Sequence, residues 1–249
     1  MLTVTLHGVR LQFDDQGFVD TPYVYRSLHQ GQVYEETFLN HIRGLGRSGV
    51  YVDVGAHLGT HTVWFAALCQ STHVHAFEPV NRFAQVVRRN VTANELDAKV
   101  TVHQVGLSDS KGHATNELSP EHQVGFMANA TTASEDFPIV RLDDVLRREP
   151  VAVMKLDVEG MEAAVLRGAP RLLSRWRPVV YAEAHSKQAF DEIRQVLAQH
   201  GYQPTGKVFN SSPTYEFVAP PRPRLARRLW RRLPPRVRQP IGRALRRLH

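Results

Sequence analysis

From Val50 onward, short apolar runs alternate with stretches in which apolar residues recur every three to four positions. Buried strands alternating with helices give this pattern, and such a chain packs as a parallel sheet with helices on its faces. Strands are expected at residues 50–54, 73–77, 99–105, 151–156 and 178–183. Helices are expected at 59–69, 80–93, 160–173 (Val165, Leu166, Leu172 and Leu173 inward) and 187–199 (Phe190, Ile193 and Leu197 inward). Lys207 to Val218, with Ser211-Ser212-Pro213 at its centre, reads as an antiparallel hairpin that finishes the sheet. The fold class is α/β: a doubly wound, mostly parallel sheet of seven strands.

Ahead of this core, alternation through Leu2, Val4, Leu6 and then Val9, Leu11, Phe13 predicts a β-hairpin turned near Gly8. Residues 32–43 read as a helix with Val33, Phe38 and Ile42 inward, ended by Gly44-Leu45-Gly46. The chain divides into a hairpin-and-helix decoration on the acceptor side (1–46), a catalytic domain (47–219) and a tail (220–249). Between the third and fourth core strands, residues 106–150 hold a polar stretch, Gly112 to Asp136, too long for a tight connection and expected to lie as a loop over a ligand.

Composition agrees with one sizeable core: 249 residues, 42% of them hydrophobic. No run approaches the roughly 20 apolar residues of a membrane span, and the first residues lack a secretory pattern, so a cytoplasmic location is expected. Cys69 is the only cysteine, which excludes an internal disulfide and a cysteine metal cage. The net charge of +7 is misleading when taken whole. Residues 222–249 hold eleven of the 31 basic residues and no acid, which leaves 20 basic against 24 acidic residues before them. The body is mildly acidic, and the positive charge belongs to the tail.

Ligands of open parallel sheets bind beyond the carboxyl ends of the strands, so the residues that follow each strand carry the chemistry. After the first comes Asp53-Val54-Gly55-Ala56-His57-Leu58-Gly59-Thr60. Gly55 and Gly59 permit a tight turn and close backbone approach, at a helix start suited to a polar ligand. Glu78 ends the second strand, where a carboxylate can accept from both ribose hydroxyls of an adenosine cofactor. A nicotinamide dinucleotide needs G-x-G-x-x-G, and His57 and Thr60 stand where its second and third glycines belong. Asp53 instead suits an amino-acid ammonium, which favours S-adenosylmethionine.

The fourth strand leads into Lys155-Leu156-Asp157-Val158-Glu159-Gly160-Met161-Glu162, with Asp157 projecting on the cofactor side. Glu159 and Glu162 also fit a helix start for dipole reasons alone. The fifth strand ends Tyr181-Ala182-Glu183-Ala184-His185, and its two-residue period puts Glu183 and His185 on one side. That pair can orient a general base or, with Asp157, hold a divalent ion such as Mg²⁺. Glu183 as a buried partner and His185 as the residue before a helix opened by Ser186 is the competing reading.

Taken together, the chain resembles the FkbM-type methyltransferases of the class I, S-adenosylmethionine-dependent, Rossmann-like fold. The resemblance covers about residues 33–218 and rests on Tyr34-Glu35, Val52 to Gly59, Phe77-Glu78-Pro79, Gly106-Leu107-Ser108-Asp109, Leu142 to Leu146 and Lys155 to Glu162. His57 departs from the family's usual Asn. The resemblance implies that Asp53, Gly55, His57 and Gly59 line the methionine part of the cofactor, Glu78 the ribose, and Gly106, Leu107 and Ser108 the adenine neighbourhood. It further implies that Asp157 and Glu159 face the acceptor. The implied activity is O-methylation of a hydroxyl on a sugar, a glycolipid or polysaccharide, or a polyketide-like metabolite, with Asp157 or His185 as proton acceptor.

In the tail, Leu225, Leu229 and Leu233 recur every four residues beside Trp230, and Ile241, Ala244, Leu245 and Leu248 follow a helical period. Cationic amphipathic stretches of this kind lie on anionic membrane surfaces, so residues 222–249 are expected to make peripheral contact with the cytoplasmic membrane face. Two other functions are consistent with the same chain. One is a nucleic-acid methyltransferase that uses the basic tail, which the acidic body and the lack of an Asn/Asp-Pro-Pro-Tyr/Phe motif oppose. The other is a binding protein that keeps the cofactor fold without transfer activity.

Overall fold

The computed structural model describes residues 1–15, 22–115 and 136–220. The tail, most of the 106–150 segment's centre and the link after the first hairpin lie outside the described residues. Strands β1 (Leu2–Leu6) and β2 (Val9–Phe13) pair antiparallel. Their turn residues His7 and Gly8 both have positive φ, as a hairpin matched to strand twist requires. Helices α1 (Pro22–His29) and α2 (Glu36–Gly44) follow.

The core then runs β3 (Gly49–Val54), α3 (Thr60–Leu68), β4 (Ser71–Phe77), α4 (Asn81–Ala93) and β5 (Val100–His103). Next come β6 (Gly106–Leu107), β7 (Gly112–Thr115), β8 (Asp136–Val140) and α5 (Leu142–Val145). The second half is β9 (Val151–Leu156), α6 (Glu162–Arg167), α7 (Pro170–Trp176), β10 (Val179–Glu183), α8 (Lys187–Ala198), β11 (Gln203–Phe209) and β12 (Thr214–Val218). The main sheet has seven strands in the order β11-β12-β10-β9-β3-β4-β5. β3, β4, β5, β9 and β10 are parallel, and β12 joins β10 antiparallel. The expected doubly wound sheet with an antiparallel finish is therefore present.

All six residues of β3 and all five of β10 are buried, because both faces of these strands are covered by helices. β11 is the exposed edge, and Pro204 and Lys207 in it discourage pairing with another chain. The hairpin β1–β2 is stitched to α4. The Asn90 side chain accepts from Asp14 N (2.6 Å) and donates to Leu58 O (2.7 Å), and Asn94 bonds the backbone of Gln12 in both directions. Trp64, buried in α3, donates to Leu39 O of α2 (3.2 Å), and the N-terminal elements share one hydrophobic core with α3 and α4.

Several expectations are corrected. The helix expected over 160–173 is two helices: Gly168-Ala169 ends α6, and Pro170, whose fixed φ suits a first turn, opens α7. Asp143 closes the break by accepting from the backbone of Arg171 (2.7 Å) and Leu172 (2.9 Å). The 106–150 segment is more than a loop, since β6, β8 and β7 form a separate three-stranded sheet. The helix expected from residue 32 begins at Glu36, α1 was not foreseen, and Val9 is exposed.

Candidate active site

β3 pairs with β4 on one side and with β9 on the other, so the winding of the chain reverses beside it and a crevice opens beyond its carboxyl end. The turn leaving β3 is held by Phe77 O, which accepts from Gly55 N (3.0 Å) and Ala56 N (3.1 Å). Gly55 has φ +74°, and a Cβ there would collide with the carbonyl of Asp157. Gly59 has φ +76°, and a Cβ there would lie 3.0 Å from Val87 of α4. Both glycines are dictated by backbone packed at van der Waals distance on its neighbours.

His57 also adopts left-handed backbone, φ 50°. Its N–H donates to Glu78 Oε2 (2.8 Å), and its ring meets Phe83 edge to face at 4.4 Å between centroids. Burial drives its pKa down to about 3, so the imidazole is neutral. Glu78 accepts a second bond from Val80 N (2.9 Å). Burial pushes its carboxyl up to about 7, against the pull of those two amides. Part of its accepting capacity braces the turn, and the remaining lone pairs are left for a ligand.

Lys155 joins this turn to the acids. Its buried Nζ donates to Gly55 O (2.9 Å) and lies 3.3 Å from Asp53 and 3.4 Å from Asp157. Burial alone would lower its pKa, but the surrounding carboxylates, Asp157 foremost, raise it above the normal lysine value. Asp53 is fully buried and also accepts from Thr62 Oγ1 (2.6 Å), so it touches the turn through Lys155. Burial opposes ionisation of Asp157, yet Lys155 and a hydrogen bond from Glu183 hold its pKa below the usual range. Glu183 shifts upward, because it is buried beside the Asp157 charge.

At the end of β10, His185 Nε2 lies 3.1 Å from Glu183 and 3.4 Å from Glu159, and Nδ1 meets the Ser212 hydroxyl at 3.1 Å. Glu159 and Gly160 make a left-handed turn (φ 49° and 94°). Glu162 folds back under that turn, accepting from Val158 N (2.9 Å) and Gly160 N (3.4 Å), which makes it a structural brace. The structure thus brings Glu159, Glu183 and His185 together, with Asp157 turned toward Lys155.

The sequence marked Lys155, Tyr34 and Glu35 only as residues of the family resemblance and gave none of them a role in the site. Glu35, left-handed at φ 60°, is pushed up to about 7 by burial; Tyr34 hydrogen-bonds it, and His61 Nε2 is 3.4 Å away. Burial also raises the Tyr23 and Tyr34 hydroxyls, whose rings pack at 4.9 Å. A lysine inside the apolar run Val151 to Leu156 was the available signal for the first of these. Beside Tyr34 and Glu35 opens a cavity of about 650 Å³, lined also by Thr37, Asn40, Asn210 and Ser211. Gly106 and Leu107 form β6 and pair with β8. Ser108 donates from its backbone to Val140 O (3.1 Å) and packs its carbonyl on Gly168.

This sheet order, with a glycine turn after the central strand and a buried acid ending the next, is that of the Rossmann-like methyltransferase fold. In overall structure the chain is similar to methyltransferase FkbM from Methylobacillus flagellatus KT, with a TM-score of 0.55 and 19% identity over 82% of this chain and 56% of that one. In sequence it is 28% identical to methyltransferase sdnD of Sordaria araneosa, across 59% of this chain and 71% of that protein. It is likewise 28% identical to hexuronic acid methyltransferase AglP of Haloferax volcanii, across 59% of this chain and 60% of that protein. A family model, the methyltransferase FkbM domain, matches residues 53–204. The chain belongs to the FkbM methyltransferase family.

Proposed function

We propose that the protein is an S-adenosylmethionine-dependent O-methyltransferase whose acceptor is a hydroxyl of a saccharide or saccharide-bearing molecule. The observation that carries this reading is the position of Asp157. Its carbonyl packs under Gly55 of the glycine turn, and its carboxyl is bonded to Glu183 of the acid group. A cofactor cradle and a proton-accepting site therefore meet at one residue. The cradle that a Cβ would fill at Gly55 and the buried Glu78 carboxyl suit the methionine and ribose parts of the cofactor. The crowd of acids around Lys155 suits a ligand with cationic groups. When bound, S-adenosylmethionine supplies a methyl group on a positively charged sulfur and leaves as a neutral thioether.

The protein's own part is to hold an acceptor oxygen about 3–3.5 Å from that methyl and to remove its proton. Asp157, its carboxylate held by Lys155, would accept the proton of the acceptor hydroxyl. Glu78 would hold the ribose, and Gly106, Leu107 and Ser108 would border the adenine side. The polar lining of the cavity beside Glu35 suits a polyhydroxylated acceptor, and the similarity to a hexuronic acid methyltransferase favours a sugar. Among the described residues no helix is long and apolar enough to cross a membrane. The 222–249 tail, outside the described residues, is assigned to an anionic lipid surface, where it would meet lipid-linked acceptors. Salt-sensitive sedimentation with anionic vesicles, compared with a chain ended at Pro220, tests that assignment.

The activity is tested with methyl-labelled cofactor and a panel of saccharide, glycolipid and small-metabolite acceptors, the product being located by NMR as an O-methyl ether. In Asp157→Asn, turnover drops about 10²–10⁴-fold with cofactor affinity within a few fold. Transfer to nitrogen alone, or unchanged turnover in that variant, overturns the reading.

A further inference from the structure

We propose that Glu159, Glu183 and His185 form a divalent-cation site at the carboxyl end of β10, selective for a borderline metal such as Mn²⁺. One atom from each, two carboxylate oxygens and an imidazole nitrogen, lies within 4.8 Å of the others, so a single ion can touch all three after small side-chain movements. Two oxygens and one imidazole suit Mn²⁺ better than the all-oxygen shell preferred by Mg²⁺.

Two observations beyond the grouping point to a ligand. Glu183 is the buried member, 8% exposed, and its Oε2 makes no hydrogen bond although His185 Nε2 is 3.1 Å away. A buried carboxylate oxygen left unbonded beside an imidazole nitrogen costs free energy that a cation removes. The other nitrogen of His185 is engaged by Ser212 Oγ at 3.1 Å. With Nδ1 occupied from behind, the ring presents Nε2 to the two carboxylates, as outer partners do for metal-bound histidines. Asp157 stands outside the set because it is committed to Lys155.

Three protein ligands would leave coordination positions open on a bound ion. Such an ion would bind an acceptor hydroxyl and make its proton easier to remove, with Asp157 as proton acceptor. This role rests on the O-methyltransferase reading, whereas the binding itself does not.

The test is titration of the full chain with Mn²⁺ alone, followed by electron paramagnetic resonance of the free ion and by calorimetry. One Mn²⁺ per chain is expected. Glu159→Gln and His185→Ala change side chains 49% and 51% exposed, so both variants fold, and each is expected to weaken binding at least tenfold. Ser212→Ala is expected to weaken it less. No stoichiometric binding, or variants that bind as the parent does, overturns the site. Stoichiometric Mn²⁺ in a protein that transfers no methyl group upholds the site and counts against the activity reading. Undiminished methyl transfer after chelation, with binding intact, removes the catalytic role and leaves the site standing.

Discussion

Replacing Lys155 with Met tests the view that one buried cation holds the centre of the site. The ammonium lies 3.3 Å from Asp53, which is fully buried, and 3.4 Å from Asp157, whose side chain is 39% exposed. At an effective dielectric constant of about 20, the Asp53 pair alone represents about 5 kcal/mol of gross Coulomb attraction, and the Asp157 pair less because water screens it. Desolvation offsets much of this while both partners are present. Removing only the lysine leaves Asp53 charged, buried and uncompensated, at a cost of about 3–5 kcal/mol. Urea unfolding at pH 7.5, followed by far-UV circular dichroism, reads this directly. With a slope of about 3 kcal/mol/M, a 4 kcal/mol loss lowers the midpoint by about 1.3 M. Adding Asp53→Asn to Lys155→Met removes the orphaned charge and restores about 1.5–3 kcal/mol. A shift below about 0.3 M in the single variant, or a double variant less stable than it, refutes the reasoning.

Gly55→Ala combines a left-handed backbone costing about 1–2 kcal/mol with a methyl group driven into the Asp157 carbonyl, so cofactor affinity falls at least about 100-fold in calorimetry while circular dichroism still reports a folded chain. Glu78, held near 7, is neutral at low pH and ionised above, and the ionised form accepts more strongly from ribose hydroxyls. Cofactor affinity therefore rises as pH climbs through about 7, and Glu78→Gln flattens that dependence and weakens binding about tenfold or more. Burial alone would raise Glu216, but hydrogen bonds from His41 (2.6 Å) and Tyr181 (2.7 Å), with Lys207 at 3.1 Å, depress it to about 2. Its stabilisation of about 3 kcal/mol is full above the unfolded pKa of about 4.5 and is lost as pH falls toward 2. Unfolding midpoints taken from pH 6 down to pH 2 should thus fall more steeply in the native chain than in Glu216→Gln.

The parallel core was legible because β3, β9 and β10 are buried on both faces and so appear as apolar runs interrupted only by Asp53 and Lys155 before their ends and by Glu183 at the last position. The break at Gly168-Ala169-Pro170 was written in the sequence, but the apolar period continues across it and hid the two helices. β6, β7 and β8 were missed because β6 and β7 are only two and four residues long and start with Gly, and β8 carries Pro138 in its middle, so none shows a strand's alternating pattern. At the site, residues at strand ends were found because the topology fixes where they go. Lys155 is level with Asp53 across β3 and β9, but a cation has no part in the expected cofactor contacts, and Tyr34 and Glu35 reach the site from outside the core sheet. Only the folded chain shows that these residues converge.

The first hairpin and the two helices after it precede the residues matched by the family model, 53–204. Leu11, Phe13, Phe38 and Ile42 are nevertheless core residues in contact with α3 and α4. The stretch matched by the family model and the stretch that packs as one core are thus different lengths of chain. A fragment trimmed to the recognisable part would leave Trp64 and its neighbours wetted and would be prone to associate through them.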